Sequence, residues 1–107
     1  MDKELKLKWL EALKSGTYTK TTYRVIRKAQ DNTFDVIGVL LDVVDPNGWI
    51  LHKDNTYFHK LSWGTGSIKI KELASLGLDT FIESKLIYLN DHNKDWTQVI
   101  KFIEETI

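Results

Sequence analysis

The run Phe34-Asp35-Val36-Ile37-Gly38-Val39-Leu40-Leu41-Asp42-Val43-Val44 decides the fold, because it is the most apolar stretch of the chain and reads in two ways. Its β-branched residues favour a buried strand, whereas Phe34, Ile37, Leu40, Leu41 and Val44 also fit one face of a helix. Periodicity does not settle the choice. The part from Val36 to Val44 is about nine residues and contains Asp42, far short of the roughly 20 apolar residues that cross a bilayer. Asp42 is out of place in such a run. It is expected to be buried or half-buried and satisfied by backbone donors or by an arginine such as Arg24 or Arg27. Asp42 and Asp45 could share a helix face, but no nucleophile accompanies them and acid–base catalysis is not expected.

Downstream, Asp45-Pro46-Asn47-Gly48 reads as a turn, with proline fixing the first central torsion and Asn-Gly able to take positive φ. Trp49 to Lys53 and Tyr57 to Leu61 flank Asp54-Asn55-Thr56 as a short hairpin, and Trp63 to Ser67 reads as a flexible link. Ser67 is a cap for a helix from Ile68 to Leu76, which Gly77 ends in the left-handed conformation before apolar Leu78. Thr80-Phe81-Ile82-Glu83 has capping-box spacing and starts a helix to about Asn90 that buries Phe81, Ile82, Leu86 and Leu89. Asp95-Trp96-Thr97-Gln98 is a second such box. It opens a last helix with Trp96, Val99, Ile100, Ile103 and Ile107 on one face.

Upstream, residues 2 to 14 form an amphipathic helix with Leu5, Trp9, Ala12 and Leu13 inward, capped by Asp2 and ended by Ser15-Gly16. Thr17 to Arg27 favours an extended segment, and Ala29-Gln30-Asp31-Asn32 a turn. The expected product is an α+β fold, a compact helix-dominated single domain over residues 1–107 with one small antiparallel sheet.

The 15 basic and 15 acidic residues cancel, yet their distribution is uneven. Residues 1 to 30 carry eight basic against three acidic side chains, a net of +5, and the remainder carries −5. Ser15 to Gln30 contains no acid, while Lys20, Arg24, Arg27 and Lys28 interleave with Tyr18 and Tyr23. A solvated basic surface is the plain reading of such a strip. The sharper one is an anion site, with forked guanidinium donors and tyrosine faces. Tyr18, Lys20, Tyr23, Arg24 and Arg27 are its residues. Trp63 and Lys69 join them: Trp63 belongs to no regular core pattern, and Lys69 follows a Gly64-Thr65-Gly66-Ser67 turn weakly like a phosphate cradle, although the P-loop spacing is absent.

The chain has no cysteine, so thiol catalysis, disulfides and cysteine-bearing zinc sites are excluded and a reducing compartment is expected. The N-terminus lacks a signal-peptide apolar region, so neither secretion nor a membrane partner is expected. His52, His59 and His92 lack metal-ligand spacing and are expected to be structural or surface groups, with no metal or other cofactor.

Lys8-Trp9-Leu10-Glu11-Ala12-Leu13-Lys14-Ser15-Gly16-Thr17-Tyr18, Ile37-Gly38-Val39-Leu40-Leu41-Asp42, and Leu86-Ile87-Tyr88-Leu89-Asn90-Asp91 with Asp95-Trp96-Thr97-Gln98-Val99-Ile100 stand in that order over nearly the whole chain. Together they resemble a family of small, mostly uncharacterised proteins of bacteriophages and prophages. In that family the middle string usually carries a Cys-Cys pair and a further cysteine, where this chain has Asp35-Val36 and Leu41, so no role of those cysteines carries over. The resemblance favours helix for Phe34 to Val44. It implies a non-enzymatic accessory viral protein acting in the host cytoplasm.

Three functions follow as expectations. The first is a sponge that sequesters a small anionic, nucleotide-type signal of host defence. The second is a protein-interaction module that inhibits or redirects a host protein. Sequence-specific nucleic-acid binding is the third and is disfavoured by the neutral net charge and the lack of a recognition motif. Exposed aromatics and amphipathic helices are compatible with a homo-oligomer in the first two cases.

Overall fold

The computed structural model describes residues 1–21 and 25–107. Asp2 accepts a hydrogen bond from the Leu5 amide at 2.9 Å and caps α1 (Lys3–Lys14), whose inner face buries Trp9, Leu10 and Leu13. Gly16, at φ +77°, leads the chain toward β1 (Thr19–Lys20). β2 (Arg27–Lys28) and β3 (Thr33–Phe34) are joined by the expected turn, with Asn32 at φ 52°. β3 is central, antiparallel to β2 but parallel to β1.

The ambiguous run is α2 (Val36–Val44). Its start is fixed locally by Asp35, whose carboxylate accepts from the Gly38 amide at 2.7 Å. Every residue from Val36 to Leu41 is buried, so the first turn and a half has no solvent face and carries no amphipathic signal. That is why periodicity could not decide. Gly38 is required by close approach: a Cβ there would stand 1.8 Å from the Ile26 carbonyl oxygen. Asp45 lies beyond the helix in extended backbone and pairs with Lys60, so it shares no helix face with Asp42.

In the turn that follows, the Gly48 amide donates to the Asp45 carbonyl at 3.1 Å, and neither Asn47 nor Gly48 takes positive φ. Gly48 is needed for space instead, because a Cβ would lie 2.5 Å from the His59 ring. β4 (Trp49–Leu51) and β5 (Tyr57–His59) form the expected hairpin, turning at Asn55 with φ 59°. The segment expected to be a flexible link is a second hairpin, β6 (Ser62–Trp63) and β7 (Ser67–Ile68), turning through Gly64 at φ +68°. Strands of two residues are too short to show alternation in sequence.

Ser67 therefore belongs to β7, and α3 (Ile70–Ser75) starts after Lys69 with no side-chain cap. Gly77, at φ +79°, ends it as expected, its amide on Ala74 and that of Leu78 on Leu73, each at 3.0 Å. α4 (Thr80–Asp91) is capped by Asp79 rather than Thr80, and Glu83 is turned to the Ile68 amide. Leu86 is buried, Ile82 and Leu89 are half-buried, and Phe81 is 76% exposed, against expectation. Phe81 stands about 140° around the helix from Leu86. α5 (Thr97–Thr106) opens on Asp95, which accepts from the Thr97 amide at 2.9 Å, and buries Val99 and Ile103.

The helices enclose one apolar cluster that includes Trp9, Ile37, Leu40, Leu73, Leu86 and Ile103. The fold is α+β and helix-dominated, with small, mainly antiparallel pairings. At its centre is Asn90, 0% exposed. Its Oδ1 accepts from the Val36 amide at 3.1 Å and the Trp96 indole at 2.8 Å, and its Nδ2 donates to the Thr21 carbonyl at 3.3 Å. No described helix is long and apolar enough to cross a membrane.

Candidate functional site

Of the proposed anion strip, Tyr23 and Arg24 lie outside the described residues. Tyr18 and Arg27 meet around Phe34. The Tyr18 ring stands edge-on to Phe34 at 4.9 Å, and its hydroxyl donates to Asp42. Burial, with the Asp42 bond and charge, pushes the Tyr18 hydroxyl up to about 12. The second Asp42 oxygen accepts from the Trp49 indole at 2.8 Å, so the odd carboxylate is satisfied by a phenol and an indole. Among the described residues it accepts from neither a backbone donor nor an arginine.

The Arg27 guanidinium lies 4.4 Å from the Tyr57 ring, 4.7 Å from Phe34 and 5.2 Å from Trp49, and donates to Asn32 Oδ1 at 3.0 Å. Three ring faces and an amide oxygen thus hold this cation between β2, β3 and the first hairpin. Lys20 stands apart from that cage, its ammonium donating to the Thr21 carbonyl at 3.3 Å. Burial holds it below the ordinary lysine value, opposed by the charges of Asp91, Asp35 and Asp95. Asp35 itself is almost fully buried, and desolvation pushes its carboxyl up to about 8.

Trp63 and Lys69 belong to a different place. With Ser67, Ile68, Ile70 and Thr80 they line a groove of about 540 Å³ where the second hairpin meets the starts of α3 and α4. Trp63 and Ile70 are each 75% exposed. Lys71 and Glu72 also border the groove, and Glu83 lies along it, nearly buried. Desolvation raises the Glu83 carboxyl, opposed by its bond from the Ile68 amide. Ile70 and Glu83 escaped the sequence reading because Ile70 fell inside the helix expected from Ile68 to Leu76 and Glu83 was assigned to a capping box.

The histidines are built into the scaffold or its surface. His59 is fully buried, with Nε2 donating to the Asp45 carbonyl at 2.8 Å and Nδ1 accepting from the Leu61 amide at 3.1 Å. His92 stacks on Tyr88 at 4.1 Å, and His52 lies 3.6 Å from Asp54. Among the described residues no group of three or more such side chains gathers as a metal site would require.

A helix-dominated α+β fold with an open apolar groove is thus the class this chain defines. It belongs to the family described as Domain of unknown function (DUF8296), whose model matches residues 1–77. No curated protein and no solved structure matches the chain. The matched part contains Trp63, Lys69 and Ile70, whereas Leu86, Asn90, Trp96, Val99 and Ile103 lie beyond it and complete the interior.

Proposed function

We propose that this chain is a non-catalytic protein-interaction module whose binding surface is the groove between the second hairpin and the starts of α3 and α4. The observation that supports the reading is the exposure of two large apolar side chains, Trp63 and Ile70, on the walls of one concavity. Such rimmed apolar surface is the usual mark of a recognition site. The strip from Ser15 to Gln30 gives less support to an anionic small-molecule ligand, because its described members Tyr18, Lys20 and Arg27 already have partners. On the resemblance to small phage and prophage proteins, the target is a host protein in the host cytoplasm, which the chain inhibits or redirects.

The test is affinity capture from bacterial host lysate with the wild-type chain and Ile70→Glu in parallel. Ile70 is exposed, so the variant sets a charge into the groove without removing a buried side chain. A host protein retained by the wild type and lost by the variant is the expected outcome. Identical capture by both refutes the groove as the binding surface.

A further inference from the structure

We infer that the groove receives an aromatic anchor of the partner, a tryptophan or tyrosine flanked by carboxylates. This rests on the interaction-module reading above and specifies its partner. Three features define the occupant. The walls, Trp63 and Ile70, are apolar, and Ile68 closes the inner side, so the inserted group must bring a large apolar surface.

Apolar walls alone would accept a leucine equally well, and Glu83 makes the distinction. The residue is only 7% exposed. One carboxylate oxygen accepts from the Ile68 amide at 2.9 Å, and the other has no hydrogen-bond partner among the described residues. A carboxylate oxygen in an apolar surround requires a donor once water is displaced. An indole N–H or phenol O–H carries such a donor at the tip of an apolar ring. The chain itself uses this pairing at Asp42, which accepts from the Trp49 indole and the Tyr18 hydroxyl.

A lysine or arginine from the partner would also satisfy Glu83, but the rim opposes it. Lys69 and Lys71 are exposed and form no ion pair among the described residues, whereas the two carboxylates that also line the groove are less exposed, Glu72 half-buried and Glu83 nearly buried. Two exposed ammonium groups without an ion pair at the rim favour acidic residues beside the anchor over basic ones.

The experiment is selection of a displayed random-peptide library on the full chain, with depletion on Ile70→Glu. Peptides retained only by the wild type should converge on a tryptophan or tyrosine with Asp or Glu neighbours. Methylating the indole nitrogen of a selected peptide, or changing its tyrosine to phenylalanine, should weaken binding by about tenfold. The double variant Lys69→Glu, Lys71→Glu should weaken it by at least about as much. Convergence on aliphatic or basic peptides, no convergence, or undiminished binding of the methylated peptide overturns the inference. Enrichment of the same peptides by wild type and Ile70→Glu when the library is selected on each without depletion overturns the groove reading itself.

Discussion

Replacing Asn90 with alanine tests whether one buried amide holds the fold together. The change leaves two donors in the interior without an acceptor, the Val36 amide and the Trp96 indole N–H, which meet Asn90 Oδ1 at 3.1 Å and 2.8 Å. An orphaned buried donor costs roughly 1–3 kcal/mol, so the pair predicts a loss of about 4 kcal/mol. A chain of this length has about 5–15 kcal/mol of stability in total. With an unfolding entropy of about 2.1 cal/mol/K per residue, the melting temperature should fall by about 18 °C. The assay is urea unfolding followed by far-ultraviolet circular dichroism, with Asn93→Ala as the control. Asn93 donates only to the Leu89 carbonyl from a half-buried position, so its removal should cost less than about 1 kcal/mol. A loss below about 1 kcal/mol for Asn90→Ala, at unchanged denaturant slope, refutes the hub.

Further outcomes follow from other sites. Asp35 has its carboxyl raised from 3.8 to about 8 by burial, so the folded state holds the extra proton and stability falls as pH rises from about 4 to about 8. Asp35→Asn keeps an oxygen for the Gly38 amide, and urea titrations across that window should show the decline flattened. Arg27→Ala empties the cage of Tyr57, Phe34 and Trp49 and should cost about 1–3 kcal/mol in the same assay, whereas a residue serving only a ligand would leave stability unchanged. Gly38→Ala drives a methyl into the Ile26 carbonyl and should cost at least about 3 kcal/mol, read as a lowered urea midpoint. The matched segment 1–77 expressed alone lacks Leu86, Val99 and Ile103 from the core, and its near-ultraviolet dichroism should show no fixed aromatic packing.

Where structure depends on neighbours in sequence, it was legible. Asp2 as cap, the Asn55 hairpin and the Gly77 stop all involve partners a few residues apart, and the inward face of α1 with Trp9 and Leu13 follows from helical spacing alone. The central helix was not legible from its residues, since burial on all sides erased its period. Phe81 was misread by counting apolar residues without their angle about α4, whose inner face also takes the polar Glu83 and Asn90. The site was legible in part. Trp63 and Lys69 do line one groove, while Ile70 and Glu83 join them only through the packing of the second hairpin on α3 and α4. Tyr18 and Arg27 were singled out as anion-site residues, and their partners Asp42, Trp49 and Tyr57 come from later segments that no local spacing connects.

The four tryptophans fall into two photophysical populations. The indoles of Trp9, Trp49 and Trp96 donate to Val36, Asp42 and Asn90 within the fold, while Trp63 stands in water at the mouth of the groove. A collisional quencher such as iodide should therefore extinguish a red-shifted Trp63 emission and leave the other three largely lit. Unfolding and occupancy of the groove then become separately readable in one unlabelled sample, the first as loss of the shielded emission and the second as protection of the accessible one.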